Sequence, residues 1–262
     1  MAEVPFAKKS LGQHWLRDET VLRDIAAAAQ VSSTDTVLEI GPGLGTLTAV
    51  LVKSAAQVIA VEFDEKLAVL LPNHVQADNL EVITQDILSF DFTSLPAAYK
   101  LVANIPYYLT SNLIRVLSET PNPPSTAVLL IQKEVAQRVA AQPGDMSLLS
   151  VTAQFYWQVS LGRAVPAHFF EPPPKVDSQV LVLTRRPELL FADVDIAAFF
   201  RLVKAGFSQR RKTLLNSLSA GLQRNRDEIQ ALCQTAGIEP KRRAQTLSLD
   251  EWHTLYLALT PS

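Results

Sequence analysis

TVLEIGPGLGTLTAVLVKSAAQVIAVE, residues 36–62, is the stretch on which the fold turns. Thr36 to Ile40 and Gln57 to Glu62 are short apolar runs, continuous enough to be strands buried on both faces, and Leu44 to Lys53 between them reads as a helix. Strand, glycine-rich turn, helix and strand make one unit of a parallel α/β sheet. The glycines of Glu39-Ile-Gly-Pro-Gly-Leu-Gly-Thr46 stand where the first strand becomes the helix. There they let the backbone approach a ligand and expose N-terminal helix amides, which suits a nucleotide-like molecule. The dinucleotide pattern Gly-x-Gly-x-x-Gly is not met, because Thr46 holds its last position and Gly45 comes one step early. A smaller adenosyl cofactor needs no room for a pyrophosphate.

The same alternation continues outward. Leu80 to Asp86, Lys100 to Ala103 and Thr126 to Ile131 read as further strands, with helices over Glu65 to Leu71 and Ser111 to Ser118. Phe155 to Ser160 and Val176 to Leu183 lack a helix between them and are expected as an antiparallel pair at the sheet edge. After Arg186-Pro187 the pattern becomes helical over 195–209, 212–221, 226–235 and 249–259, with Ser248 or Asp250 as cap of the last. The expected architecture is an α/β domain over residues 1–187 and a small all-α domain over 188–262.

With 48% hydrophobic and 19% charged residues in 262, the chain has enough apolar material for one large core and a small second one. Its apolar runs fall short of the roughly 20 residues of a membrane span. The N-terminus carries no secretion or organelle pattern, so the expected address is the cytoplasm. One cysteine, Cys233, excludes an intramolecular disulfide and a cysteine-rich zinc site, and the four histidines show no metal-ligand spacing, so no metal is expected. Net charge is −2, yet residues 201–243 hold ten Lys/Arg against three acids, a balance of +7 that leaves −9 elsewhere. Arg210, Arg211 and Lys212 concentrate that charge, as a surface for polyanions would.

Glu62 ends the second strand 21 residues beyond Gly41, where a carboxylate accepts from two ribose hydroxyls, and Asp86 ends the third. Glycine or a carboxylate at three successive strand ends marks a crevice. The fourth strand leads into VANIPYYLTS, residues 102–111. Asn104 brings an amide, Pro106 a carbonyl expected to stay outside any helical turn, and Tyr107 and Tyr108 aromatic faces. An aromatic amine is a poor nucleophile because its lone pair is delocalised into the ring. Accepting its N–H groups on the Asn104 oxygen and the Pro106 carbonyl favours the pyramidal form that attacks, and stacked rings stabilise the charge that develops.

These residues, with Lys8-Lys-Ser-Leu-Gly-Gln-His-Trp-Leu16, Phe170-Glu-Pro-Pro-Pro-Lys-Val-Asp-Ser178 and Phe207-Ser-Gln-Arg-Arg-Lys-Thr-Leu214, resemble the KsgA/RsmA family of small-subunit rRNA adenine N6,N6-dimethyltransferases. The resemblance implies a Rossmann-like class I S-adenosylmethionine-dependent methyltransferase domain followed by a helical rRNA-docking domain. It implies dimethylation of two adjacent adenosines in the 3′-terminal hairpin of 16S rRNA, within a small-subunit assembly intermediate. His14, Leu16, Gly41, Gly43, Glu62, Asp86 and Asn104 would then bind the cofactor. Asn104, Pro106, Tyr107 and Phe170 would hold the target base, and Arg210, Arg211 and Lys212 the rRNA phosphates. His14 and Trp15 depart from the asparagine and phenylalanine of many members. A 23S rRNA adenine methyltransferase of the macrolide-resistance type shares the glycine-rich and Asn-Ile-Pro-Tyr motifs, and a non-catalytic RNA-binding assembly or transcription factor could use the same fold. A monomer is expected.

Overall fold

The computed structural model describes residues 13–260. Strands are β1 (Trp15–Leu16), β2 (Thr36–Ile40), β3 (Gln57–Glu62), β4 (Leu80–Thr84), β5 (Lys100–Asn104), β6 (Thr126–Gln132), β7 (Trp157–Val165), β8 (Phe170–Glu171) and β9 (Ser178–Arg185). Helices are α1 (Glu19–Ala28), α2 (Thr48–Leu51), α3 (Glu65–His74), α4 (Thr110–Glu119), α5 (Lys133–Val139), α6 (Leu148–Tyr156), α7 (Ile196–Phe207), α8 (Leu214–Leu222), α9 (Arg226–Thr235) and α10 (Leu249–Leu259). They form two compact units, one running to Gln137 and resuming over Trp157–Arg185, the other made of Arg138–Tyr156 and the chain from Arg186. The division drawn from composition after residue 187 lies close to the last crossing. The stretch 138–156 also belongs with the later helices, an assignment that depends on packing partners 30 or more residues away.

In the first unit seven strands run in the order β4-β3-β2-β5-β6-β9-β7. The pairs β3–β4, β2–β3, β2–β5 and β5–β6 are parallel, while β9 lies antiparallel to β6 and β7 antiparallel to β9. Because side chains alternate across a strand, Val37, Val58, Val102 and Val128 share one apolar cluster, which α1 covers with Val21, Leu22 and Ile25. Helix α1 starts where the Asp18 carboxylate accepts from Val21 N–H at 2.9 Å, a cap that the sequence reading passed over. Order reverses between β2, whose neighbours are β3 and β5, and connections leave in opposite directions, which opens a crevice at the carboxyl ends of these strands. The expected Leu44–Lys53 helix is shorter, Thr48–Leu51, since Gly45 holds φ +81° and delays the first helical turn. The expected strand from Phe155 begins at Trp157, and Phe155 and Tyr156 end α6 instead.

The second unit is helical. Phe155, Phe199 and Phe200 stack or meet edge-on with centroids 5.2–5.4 Å apart, making an aromatic core. Helix α10 begins in a reciprocal cap between Ser248 and Glu251, which makes Ser248 rather than Asp250 the cap. Glu251 also takes a two-pronged ion pair from Arg242, one arm at 3.0 Å, so this member of the basic stretch is tied to its own fold. Cys233 is fully buried, and burial raises its thiol pKa. Among the described residues no helix is long and apolar enough to cross a membrane.

Candidate active site

The carboxyl ends of β2, β3 and β5, the turn after β4, and the β1–β8 pair wall a single cleft in the first unit. His14, Leu16, Gly41, Gly43, Glu62, Asp86, Asn104, Pro106, Tyr107 and Phe170 all line it. The structure therefore brings together each residue expected to hold cofactor or target base. Arg210, Arg211 and Lys212 are not in its lining; they belong to the second unit, all exposed, in the loop between α7 and α8.

The glycine turn needs its glycines. Gly41, Gly43 and Gly45 have φ of +65°, +58° and +81°, where side chains are strained. A Cβ on Gly45 would lie 2.7 Å from Leu71 and 2.8 Å from Val75. The turn is anchored from β3, because Glu62 accepts from Gly43 N–H at 3.1 Å and from Asp64 N–H at 2.8 Å. Burial raises the Glu62 pKa, and those two backbone donors pull it back in part. Each Glu62 oxygen thus has one donor and retains acceptor capacity. Asp86 sits two residues past the end of β4 and caps a one-turn helix, Ile87–Ser89, by accepting from Leu88 N–H through Oδ1 at 2.9 Å. Its other oxygen faces no such demand.

A segment distant in sequence closes the cleft. β1 pairs antiparallel with β8, setting Leu16 opposite Phe170 and Trp15 opposite Glu171. Thr46 donates its hydroxyl to the Leu16 carbonyl at 2.9 Å, tying the strand to the glycine turn. Nδ1 of His14 meets the Pro172 carbonyl at 2.6 Å, and the His14 ring lies nearly parallel to Tyr107, centroids 6.2 Å apart. The Tyr107 hydroxyl is held by Ser178 Oγ at 2.8 Å, and burial raises its pKa. Asn104 donates Nδ2 to the His14 carbonyl at 3.3 Å, which leaves Oδ1 as the acceptor end of the amide. The Pro106 carbonyl is not outside a helical turn: it accepts from Leu109 N–H at 3.0 Å, opening the turn Tyr107–Leu109. Proline lacks a donor, but nothing in its ring prevents its carbonyl from starting a helix, and one lone pair remains.

Two lining residues, Glu39 and Phe63, escaped the sequence reading. Glu39 is 1% exposed, and burial lifts its pKa to about 8, with the Glu62 charge adding to the shift and Thr48 opposing it. Its Oε2 lacks a partner of full hydrogen-bond geometry. A carboxylate inside the apolar run Thr36–Ile40 was the available signal. Phe63, a large aromatic 62% exposed, stands at the cleft, and nothing in local periodicity separates it from a core residue; Tyr108, expected there for its aromatic face, is 67% exposed.

Among the described residues, three carboxyl groups and no Lys or Arg line this cleft. That donor set suits an adenosyl cofactor with a ribose diol, an exocyclic amine and positive charge, and it disfavours the pyrophosphate of a dinucleotide. Among the described residues no group of three His, Cys, Asp or Glu is placed to hold a metal ion.

Comparison with known proteins gives the same family by sequence and by shape. The family model described as Ribosomal RNA adenine dimethylase matches residues 6–260. The Ribosomal RNA small subunit methyltransferase A of Dehalococcoides mccartyi (strain ATCC BAA-2266 / KCTC 15142 / 195) is 46% identical over 258 residues, 97% of this chain and 89% of that protein. Its counterpart from Clostridioides difficile (strain 630) is 40% identical, over 94% of this chain and 89% of that one. Among solved structures, a dimethyladenosine transferase from Plasmodium falciparum superposes with a TM-score of 0.77 at 27% identity, covering 92% of this chain and 96% of the other. The 23S rRNA methyltransferase ErmE superposes at 0.74 with 30% identity, covering 94% and 99%.

Proposed function

The chain belongs to the ribosomal RNA adenine dimethylase family, and from that premise we propose that it dimethylates the N6 amines of two adjacent adenosines in the 3′-terminal hairpin of 16S rRNA. The methyl donor is S-adenosylmethionine, whose sulfonium supplies an electrophilic methyl, so the protein needs no strong base. The reaction takes place in the cytoplasm on a small-subunit assembly intermediate, with the enzyme acting as a monomer. Glu62 holds the cofactor ribose, Asp86 its adenine, and His14, Leu16, Gly41 and Gly43 the rest of its frame.

The observation that carries this reading is the orientation of Asn104. With Nδ2 given to the His14 carbonyl, Oδ1 is the end left to accept a hydrogen bond from the target amine. The Pro106 carbonyl offers its second lone pair to the other N–H. Together they draw the nitrogen lone pair out of the ring, and the positive charge that develops is met by carbonyl dipoles and by the faces of Tyr107 and Phe170. One amine proton leaves to water after each transfer. The remainder of catalysis is positioning of a base taken out of its stack.

What favours this over the macrolide-resistance reading is the likeness, at 46% and 40% identity over nearly the whole chain, to proteins named as small-subunit methyltransferases. The test is transfer from labelled S-adenosylmethionine into unmethylated small subunits and, separately, naked 23S rRNA, with the nucleoside identified by mass spectrometry. Dimethyladenosine in the small subunit is expected. Label only in 23S rRNA would replace the proposal with the resistance-type activity, and no transfer to either would leave a binding factor.

A further inference from the structure

A second cavity, of about 330 Å³, lies wholly within the second unit. Three loops distant in sequence enclose it, and backbone bonds hold two of them together. Gly144 and Met146 N–H both donate to the Gln245 carbonyl, at 2.9 and 3.1 Å, and Gln245 Nε2 returns a bond to the Gly144 carbonyl at 3.3 Å. The apolar lining includes Met146 and the half-buried Phe207. Phe207 is braced by Trp252 with centroids 5.7 Å apart, and Gly206 beside it packs so closely that a Cβ there would come 2.3 Å from the same indole. Around this lining stand Arg138, Arg210 and Lys212, all exposed, against one carboxylate, Asp145. None of the four forms an ion pair with another described residue.

We infer that this cavity receives one unstacked nucleotide of the RNA, its base against Phe207 and Met146 and its phosphates on Arg138, Arg210 and Lys212. The inference rests on the rRNA reading above and adds a second base-binding site to it. A surface meant only for phosphate needs cations on a convex patch; a braced hollow with an aromatic ring and a thioether beneath its cations offers something a phosphate cannot use. Each base has a π-face, so stacking on a protein ring serves any nucleotide. The volume falls at the lower end of the range for small-ligand sites, about 300–1,000 Å³. Arg138 joins Lys212 although 74 positions separate them, so the site is invisible to any reading of the Arg210–Lys212 run alone.

The test uses the full chain and a single-stranded RNA hexamer carrying 4-thiouridine, with a duplex of the same sequence and inorganic phosphate as competitors. Photocrosslinking is expected on the peptides of Phe207 or Met146, outcompeted by unlabelled single strand far better than by duplex or phosphate. Arg138→Ala should weaken hexamer binding about tenfold, and Asp145→Asn should strengthen it; both positions are exposed, so neither change threatens folding. Crosslinks confined to the first cleft, around Tyr107 and Phe170, would overturn the inference. So would equal competition by phosphate, or an unchanged affinity in Arg138→Ala. These arms require no methyl transfer, so they report on the cavity even if the chain methylates no rRNA, and a failed cavity leaves the transfer assay untouched.

Discussion

The two cavities of this molecule are opposite in charge and in construction. Among the described residues, the first is lined by Glu39, Glu62 and Asp86 without a Lys or Arg; the second by Arg138, Arg210 and Lys212 with Asp145 alone opposing them. An acidic cleft attracts a cationic cofactor and repels RNA phosphate, while a basic hollow does the reverse. One chain with a net charge of only −2 thus presents hollows of opposite sign in its two units. They also differ in how they are made. The first rises from the ends of adjacent parallel strands, the second from loops that meet only because helices pack.

The sharpest way to break this contrast is at Asn104. Asn104→Ala should lower methyl transfer by at least about a hundredfold, while the rise in melting temperature caused by S-adenosylmethionine largely persists. Transfer retained within about tenfold would mean the amide is not the acceptor that the first cleft is built around. Gly45→Ala comes next. It forces a side chain to φ +81° and into Leu71 and Val75, and should destabilise the fold by about 2–4 kcal/mol. Chemical denaturation measures this, and a loss under about 0.5 kcal/mol, the range of an ordinary surface change, would show that the turn relaxes freely.

At the second cavity the expected effect is smaller. Arg210→Ala or Lys212→Ala should reduce the slope of log affinity for RNA against log salt by about 1 each. Slopes equal to wild type would remove both side chains from phosphate contact. The mildest test concerns pH. Glu39 carries a pKa of about 8 when folded against 4.5 as its ordinary value, so the folded state binds the extra proton between them. Its stabilising contribution is full below 4.5, falls as pH rises through that window and is gone above about 8. Glu62, also raised by burial, adds a slope of the same sign. Glu39→Gln should flatten the decline of melting temperature with pH by a few degrees; an unchanged profile would show that Glu39 is already ionised in the fold.

Legibility followed range. Thr36–Ile40 and Gln57–Glu62 are strands over the bounds read from apolar content, and Arg226–Thr235 and Leu249–Leu259 are helices over theirs. In each, the pattern that defines the element lies inside it. Glu62 was visible because a carboxylate at the end of a buried run has few other reasons to be there, whereas Asp86, expected to end its strand, lies two residues beyond β4, itself only half-buried, and caps the turn that follows. Pro106 was misjudged, since whether a carbonyl starts a turn depends on the residues after it. Helix α6 was missed because Phe155-Tyr156-Trp157 suits a helix end and a strand start equally, and burial in separate units decided between them.

By itself the sequence determined the alternation of strands and helices, the glycine turn, the Glu62 carboxylate at the end of β3 and the Asn-Ile-Pro-Tyr stretch, because each is a local pattern of size, polarity and backbone freedom. Only the tertiary structure decided that the His14 carbonyl orients Asn104, that Leu16 lies opposite Phe170, and that Arg138 and Gln245 share a hollow with Lys212. Those pairings join residues 74 to 154 positions apart or lie across separate loops, and no local preference encodes them: they exist because packing the cores leaves each segment one place to go.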